Sequence, residues 1–138
     1  MEPASPARLY ATVIGALLVI LGILGFFYTA SFDRLGDYEE ALGGLKANGW
    51  LNLFYIATGA LGLLVAGASS RGYSLAIGLL YTVLAIFGWG SGALNLVIGL
   101  LGLAAFAGTV RKRSWPVRER GKRPRRSKPR AKPAGKRA

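Results

Sequence analysis

The side chains best equipped for chemistry are Asn52, Tyr55 and Asn95, which stand within or at the start of long apolar runs. Their amide and phenol groups could hydrogen-bond a solute in a small polar cavity, because polar groups inside a membrane commonly mark substrate or ion paths. The same groups could instead cap a helix or bond a neighbouring helix, just as Thr58 could bond its own backbone. We favour this packing interpretation, and the polar cavity stays an alternative.

Catalysis and metal binding have few candidate groups in this composition. The chain has no cysteine and no histidine, which excludes thiol nucleophiles, imidazole bases and the usual zinc sites. The apolar runs contain no carboxylate of the kind that couples protons to substrate in small exporters. We therefore expect no enzyme activity, no catalytic residue, no cofactor and no metal site.

One acidic segment contains Asp33, Asp37, Glu39 and Glu40. Hard divalent cations prefer several such oxygen ligands, but the spacing does not match the EF-hand loop. The segment is therefore predicted to be a solvated surface turn, with a short surface helix over residues 36–45.

The positive charge is concentrated at the C-terminus. Of 18 Lys and Arg residues, four (Arg8, Arg34, Lys46 and Arg71) precede residue 111, and the other fourteen lie at residues 111–137. Residues 111–138 also contain four prolines and almost nothing apolar. Such a segment cannot bury enough surface to fold, so a disordered basic tail is predicted.

The tail has two classes of candidate partner. Basic residues close to a membrane surface are attracted to anionic lipid headgroups, by about 1 kcal/mol each. The distal residues 128–133 resemble basic arms that bind nucleic acid through phosphates, so a membrane-tethered nucleic-acid-binding protein stays an alternative. The residues expected to contact lipid are Arg111, Lys112, Arg113, Arg118 and Arg120.

Four apolar runs precede the tail, and none contains a charged residue or a proline. A helix of about 20 apolar residues crosses the hydrocarbon layer, and a membrane permits only helices or closed barrels. Four runs in one short chain leave no polar face for water, so four transmembrane helices are predicted. They cover residues 9–28, 51–68, 73–89 and 93–110.

The distribution of charge predicts one orientation. The basic tail directly follows the fourth run and should stay in the cytoplasm. With four crossings, the N-terminus with Arg8 and the turn with Arg71 are also cytoplasmic, and the acidic segment is outside. Tyr10 and Tyr73 fall at inner helix ends, where amphipathic rings favour the headgroup layer.

An internal duplication relates the two halves. The alignment that places Tyr10 on Tyr73 also places Gly15 on Gly78, and the pattern Gly59-x-x-Gly62 returns later in the chain. Two tandem helical hairpins in the same orientation, packed as a four-helix bundle, are therefore predicted. Small residues let helices approach closely in lipid, and one glycine stripe could also form a homo-oligomer. The glycines expected at helix contacts are Gly15, Gly22, Gly25, Gly59, Gly62, Gly78, Gly88, Gly99 and Gly102.

The chain resembles a family of bacterial four-helix membrane proteins, the domain of unknown function 4383 family, over residues 7–108. The motifs that carry the resemblance are NGWLNL at residues 48–53, TGALGL at 58–63, ARLYA at 7–11, RGYSLA at 71–76 and GLLGL at 99–103. The resemblance implies a bacterial inner-membrane location and no known activity. Family members commonly have histidines where this chain has Leu51, Tyr55 and Ile98, so no imidazole function carries over.

The resulting prediction is an all-α, multi-pass protein of the cell membrane with both termini in the cytoplasm. Residues 1–110 form the four-helix transmembrane domain and residues 111–138 the tail. Its expected role is non-enzymatic, as an accessory or assembly subunit with its tail on anionic lipid. A small transporter or channel component built around Asn52, Tyr55 and Asn95 is the leading alternative.

Overall fold

The part of the chain that the structure describes folds into four helices and one short β-hairpin. The computed structural model describes residues 4–41, 43–113 and 135. The predicted four helices are confirmed, whereas the tail beyond residue 113, with Arg118 and Arg120, lies outside the described residues apart from Gly135. The elements are α1 (Pro6–Tyr28), β1 (Glu39–Ala41), β2 (Leu45–Ala47), α2 (Gly49–Val65), α3 (Ser70–Ile86) and α4 (Gly92–Arg113).

Each helix begins before its apolar run does, and local caps set the starts of α1 and α2. Ser5 caps α1, its hydroxyl accepting from the backbone N–H of Arg8 at 3.2 Å, and Pro6 supplies a preformed first turn. Asn48 caps α2, its Oδ1 accepting from the N–H of Leu51 at 2.6 Å. A hydropathy pattern does not detect these polar capping residues, so the predicted helices begin later in the chain than the helices of the structure do.

The end of α3 differs from the prediction for a backbone reason. The helix ends at Ile86, before the predicted end at Trp89, and Gly88 and Gly90 follow with φ of 69° and 68°. Residues other than glycine rarely adopt this left-handed conformation, so these glycines form the turn into α4. The assignment of Gly88 to helix packing was wrong, because a Cβ there would meet no atom within 4 Å.

The predicted surface helix over residues 36–45 was also wrong. Glu39 pairs with Ala47 and Ala41 with Leu45 in an antiparallel β-hairpin. Its loop contains Gly43 at φ 70° and Gly44 at φ 93°, two positive values that a helix cannot include. A pair of glycines between two short segments is a signal for a β-hairpin.

The helices pack as two antiparallel pairs, α1 with α2 and α3 with α4. The β-hairpin and the α3–α4 turn meet at one end of the bundle, where Ser91 Oγ accepts from the N–H of Lys46 at 2.7 Å. We call this the hairpin end. The start of α1, the α2–α3 turn and the end of α4 lie at the opposite end, where Thr109 Oγ1 accepts from the N–H of Ala7 at 2.9 Å. We call this the tail end.

Candidate functional site: a polar core between the helical hairpins

Close glycine contacts join the helices within each pair, and they repeat. A Cβ at Gly15 in α1 would lie 2.8 Å from the carbonyl oxygen of Gly59 in α2, and one at Gly78 in α3 would lie 2.8 Å from the backbone nitrogen of Leu103 in α4. In both pairs the nearest atoms belong to the backbone of the neighbouring helix, which cannot move aside as a flexible side chain could. Other helix glycines are also too close to a neighbouring helix to admit a Cβ, although Gly25 faces the Asn52 side chain and Gly62 the Tyr73 side chain; the full set is Gly15, Gly22, Gly25, Gly59, Gly62, Gly78, Gly99 and Gly102.

Tyr10 and Tyr73 link the two helix pairs, because each forms a hydrogen bond to the backbone of the other pair. The hydroxyl of Tyr10 in α1 donates to the Ile98 carbonyl in α4 at 2.9 Å, and that of Tyr73 in α3 donates to the Thr58 carbonyl in α2 at 2.8 Å. The two acceptors are also equivalent, since each directly precedes the first glycine of the repeated Gly-x-x-Gly pattern. The bundle therefore has an approximate two-fold axis between the tyrosine rings, whose centroids lie 6.2 Å apart.

The predicted headgroup position of these two tyrosines was wrong. Both rings are buried, because each hydroxyl reaches a carbonyl inside the opposite pair. Two aromatic residues at equivalent positions of a duplication were the signal available in the sequence. A duplicated tyrosine, with its apolar ring and polar hydroxyl, is compatible with a buried contact between helices as well as with the membrane–water interface.

A second hydrogen bond also joins equivalent positions of α2 and α4. The Tyr55 hydroxyl donates to Asn95 Oδ1 at 3.3 Å, and each residue lies four positions before the first glycine of its Gly-x-x-Gly pattern. The Asn95 amide group donates to the Trp89 carbonyl at 2.6 Å. Next along the core, the Thr58 and Tyr81 hydroxyls are 2.8 Å apart. The polar groups of the core are therefore largely paired with one another.

Asn52 holds α2 to the end of α1. Its side-chain amide donates to the Thr29 carbonyl at 3.0 Å, and 2% of its surface is exposed. Gly25 lies against the same side chain, because a Cβ added there would overlap the amide of Asn52. Asn48, rather than Asn52, is the helix cap.

The predicted cavity residues are brought together only in part. Asn52 and Tyr55 line a cavity of about 20 Å³ beneath the β-hairpin, closed in part by Lys46 and Ser91. Asn95 is bonded to Tyr55 and is not part of this lining. A volume of this size is sufficient for about one water molecule.

The acidic segment lies beside an open recess of about 300 Å³ at the hairpin end, which Asp33, Asp37 and Glu39 help to line. Ser31 Oγ donates to the Asp33 carboxylate at 2.5 Å. Within the described residues no group of three or more acidic, histidine or cysteine side chains is placed to hold a metal ion. The arrangement is that of a solvated polar surface.

The family comparison covers most of the chain. A family described as a domain of unknown function (DUF4383) matches residues 8–105, which confirms the resemblance drawn from the motifs. No curated protein and no solved structure matches the chain.

Proposed function

Since the chain belongs to the DUF4383 family, whose description assigns no activity, we propose its role from its own surfaces. It is a multi-pass membrane protein without catalytic function, an accessory or assembly subunit that places its basic tail on the inner leaflet. The proposal has three parts, which are membrane insertion, orientation and tail contact.

The observation that carries membrane insertion is the exposure of apolar residues around a core that contains polar ones. Asn95 is fully buried, whereas Phe27 is 82% and Leu64 81% exposed. Two helices, Pro6–Tyr28 and Gly92–Arg111, are long and apolar enough to span a membrane, yet 39% and 28% of their apolar windows are buried. The core helix of a water-soluble protein would be mostly buried, so these surfaces suit lipid.

The two shorter helices fit the same arrangement. α2 and α3 have 17 residues each, about 26 Å at 1.5 Å per residue. That is the lower limit for crossing a hydrocarbon layer of about 30 Å. Exposed apolar residues at both ends of α2, Leu53 and Leu64, and at the end of α3, Ile86, support a full crossing.

The orientation follows from the charges at the two ends of the bundle. Arg8, Arg71 and Arg111 belong to the tail end, and the acidic segment with Asp33 and Glu40 belongs to the hairpin end. Basic residues are retained in the cytoplasm, so the tail end is the cytoplasmic end. Both termini are then inside.

A packing role for the core suits this structure better than transport does. A solute path needs a continuous opening, and the cavity beside Asn52 and Tyr55 has a volume of about 20 Å³. The Asn95 side chain is engaged on both sides, by Tyr55 and by the Trp89 carbonyl. We therefore assign Asn52, Tyr55 and Asn95 to helix association.

The tail contact is tested by trypsin digestion of the full-length protein in nanodiscs. Cleavage after Arg118 and Arg120 should be slower in discs containing phosphatidylglycerol than in discs of phosphatidylcholine alone, and the difference should shrink at high salt because charge contacts are screened. A variant truncated after Arg113 reports any cleavage within the bundle. Equal rates in both discs would contradict tail contact with lipid.

The same discs distinguish the nucleic-acid alternative. Added DNA should fail to slow tail cleavage further when phosphatidylglycerol is present, because the tail is already engaged. Protection by DNA that persists in phosphatidylglycerol discs would favour a tethered nucleic-acid binder and contradict the lipid role.

A further inference from the structure

A tight turn of residues 34–37 lies between α1 and the β-hairpin, and we call it the Leu35 turn. The N–H of Asp37 donates to the Arg34 carbonyl at 3.2 Å, and Gly36, at φ 113°, lets the chain reverse direction. Leu35 stands at the tip of the turn, and 71% of its surface is exposed. The acidic segment therefore presents one strongly exposed apolar side chain.

The two sides of this segment differ in polarity. Asp33, Asp37 and Glu39 line the open recess of about 300 Å³ at the hairpin end. Leu35 lines a different recess, of about 260 Å³, whose other lining residues are apolar or aromatic. These other residues are Trp50, Leu53, Phe54, Ala57 and Trp89. A segment with acidic groups on one side and apolar groups on the other suits the boundary between water and lipid.

The apolar side of the segment borders the membrane-facing part of α2. This helix begins at Gly49, and Ala57, which shares the recess with Leu35, lies about 12 Å further along its axis. Leu53 lies between them in the helix and is 47% exposed. The Leu35 turn is therefore next to an apolar surface that a membrane-crossing α2 would present to lipid.

The backbone of the segment is suited to the edge of a hydrocarbon layer. The Ser31 carbonyl accepts from the N–H of Gly49 at 2.7 Å, and the Phe32 carbonyl accepts from the indole N–H of Trp50 at 3.0 Å. The Arg34 carbonyl accepts within the turn. Irregular backbone at membrane depth needs such internal partners, because lipid supplies none. The Phe32 ring also packs edge-on against Trp50, with centroids 5.3 Å apart.

We propose that the Leu35 turn inserts into the outer leaflet of the membrane. Leu35 and Phe32 then lie among the acyl chains just below the headgroups, and Asp33 and Asp37 face the water. The partner of this surface is the lipid interface itself. The inference rests on the proposed membrane insertion, which puts the hairpin end at the outer leaflet. Because α2 is barely long enough to cross, an anchor beside its outer end sets the depth of the bundle.

Thiol reactivity of the full-length protein in nanodiscs tests this insertion. The chain has no cysteine, so Leu35→Cys and Asp37→Cys each introduce a single thiol into the same turn. Both positions are exposed in the structure, so only lipid should distinguish them. A water-soluble maleimide should react with Leu35→Cys about fivefold more slowly than with Asp37→Cys, because the reactive thiolate is disfavoured in lipid. Each rate is divided by that of the unfolded variant, which removes the effect of neighbouring residues in the chain.

Fluorescence quenching then identifies what covers the turn. A bimane label on Leu35→Cys should be quenched by a phospholipid that carries a nitroxide on its acyl chain near the headgroup, and only weakly by aqueous iodide. The label on Asp37→Cys should show the reverse. Equal maleimide rates and equal iodide quenching at the two positions would overturn the proposal. Protection of the Leu35→Cys label from both quenchers would place a protein surface, such as a second copy of the chain, over the turn and would also overturn it.

Leu53→Cys separates this proposal from the membrane insertion on which it rests. Position 53 belongs to α2 itself, so its label should be quenched by the nitroxide lipid wherever the helix crosses the membrane. Lipid quenching at position 53 together with iodide quenching at position 35 would overturn the insertion of the turn alone. Iodide quenching at both positions would overturn membrane insertion and the turn together.

Discussion

Tyr10 and Tyr73 make the same contact in opposite directions across the bundle. Each donates its hydroxyl to a backbone carbonyl of the other helical hairpin, Tyr10 to Ile98 at 2.9 Å and Tyr73 to Thr58 at 2.8 Å. Their ring centroids are 6.2 Å apart. The exchange ties the two halves of the duplicated chain into one bundle and predicts how each half should respond to mutation.

The first prediction is that Tyr10→Phe and Tyr73→Phe each lower the free energy of unfolding by about 1 kcal/mol, because one buried carbonyl loses its donor. The two losses should be similar, since the contacts are equivalent. Unfolding in detergent measures them, with Tyr28→Phe as the control, because Tyr28 is 52% exposed. A loss confined to one tyrosine would contradict the two-fold relation.

Glycine contacts give the second prediction. Gly15→Ala and Gly78→Ala should each destabilise the bundle by about 2 kcal/mol or more, because the added carbon meets backbone that cannot move aside. Gly72→Ala is the control within a helix, where a Cβ would meet no atom within 4 Å, and it should be neutral or stabilising by up to about 1 kcal/mol. Thermal unfolding in detergent distinguishes the three, and tolerance of alanine at position 15 would contradict the packing.

Gly25 and Asn52 give the third prediction, because they share one small space. Gly25→Ala should destabilise the bundle by overlap with the Asn52 amide, and Asn52→Ala should destabilise it through the lost bond to the Thr29 carbonyl. The double variant should cost less than the sum of the two by about 1 kcal/mol, since removing the amide relieves the overlap. Additive costs in a double-mutant cycle would show that the residues do not interact.

The fourth prediction concerns the β-hairpin. Ser91→Ala removes the acceptor for the Lys46 N–H, and Tyr38→Phe removes the acceptor for the Gly90 N–H. Each should speed amide hydrogen exchange in residues 36–48 by about fivefold, while exchange in α1 stays unchanged. Glu40→Gln, at a solvent-facing position of β1, is the control. Unchanged exchange in both variants would show that these bonds do not hold the hairpin.

The helices and their pairing could be predicted from sequence because two strong signals agreed, namely apolar runs free of charge and the repeat that aligns Tyr10 with Tyr73. Helix starts were less accessible, since Ser5 and Asn48 act through single hydrogen bonds that hydropathy does not register. The β-hairpin was missed because its signal is a glycine pair with positive φ in an otherwise polar segment.

The candidate site was less predictable than the fold. The importance of Asn52, Tyr55 and Asn95 could be foreseen from their position in apolar runs. The acceptor that each side chain reaches depends on helix rotation and on the distance between helices, which the sequence does not encode locally. The hydrogen bonds of Tyr10 and Tyr73 form only when both helical hairpins are assembled. The repeat therefore identified the two tyrosines as equivalent without indicating that each would bond the other hairpin.

The central claim is that four helices cross the membrane with both termini inside, and the chain lends itself to a direct test because it has no cysteine. Glu40→Cys and Ser69→Cys introduce one thiol each, at the hairpin end and at the α2–α3 turn of the tail end. A membrane-impermeant maleimide should label Glu40→Cys in intact cells and Ser69→Cys only after the cells are permeabilised. Labelling of both thiols from the same side would contradict the account.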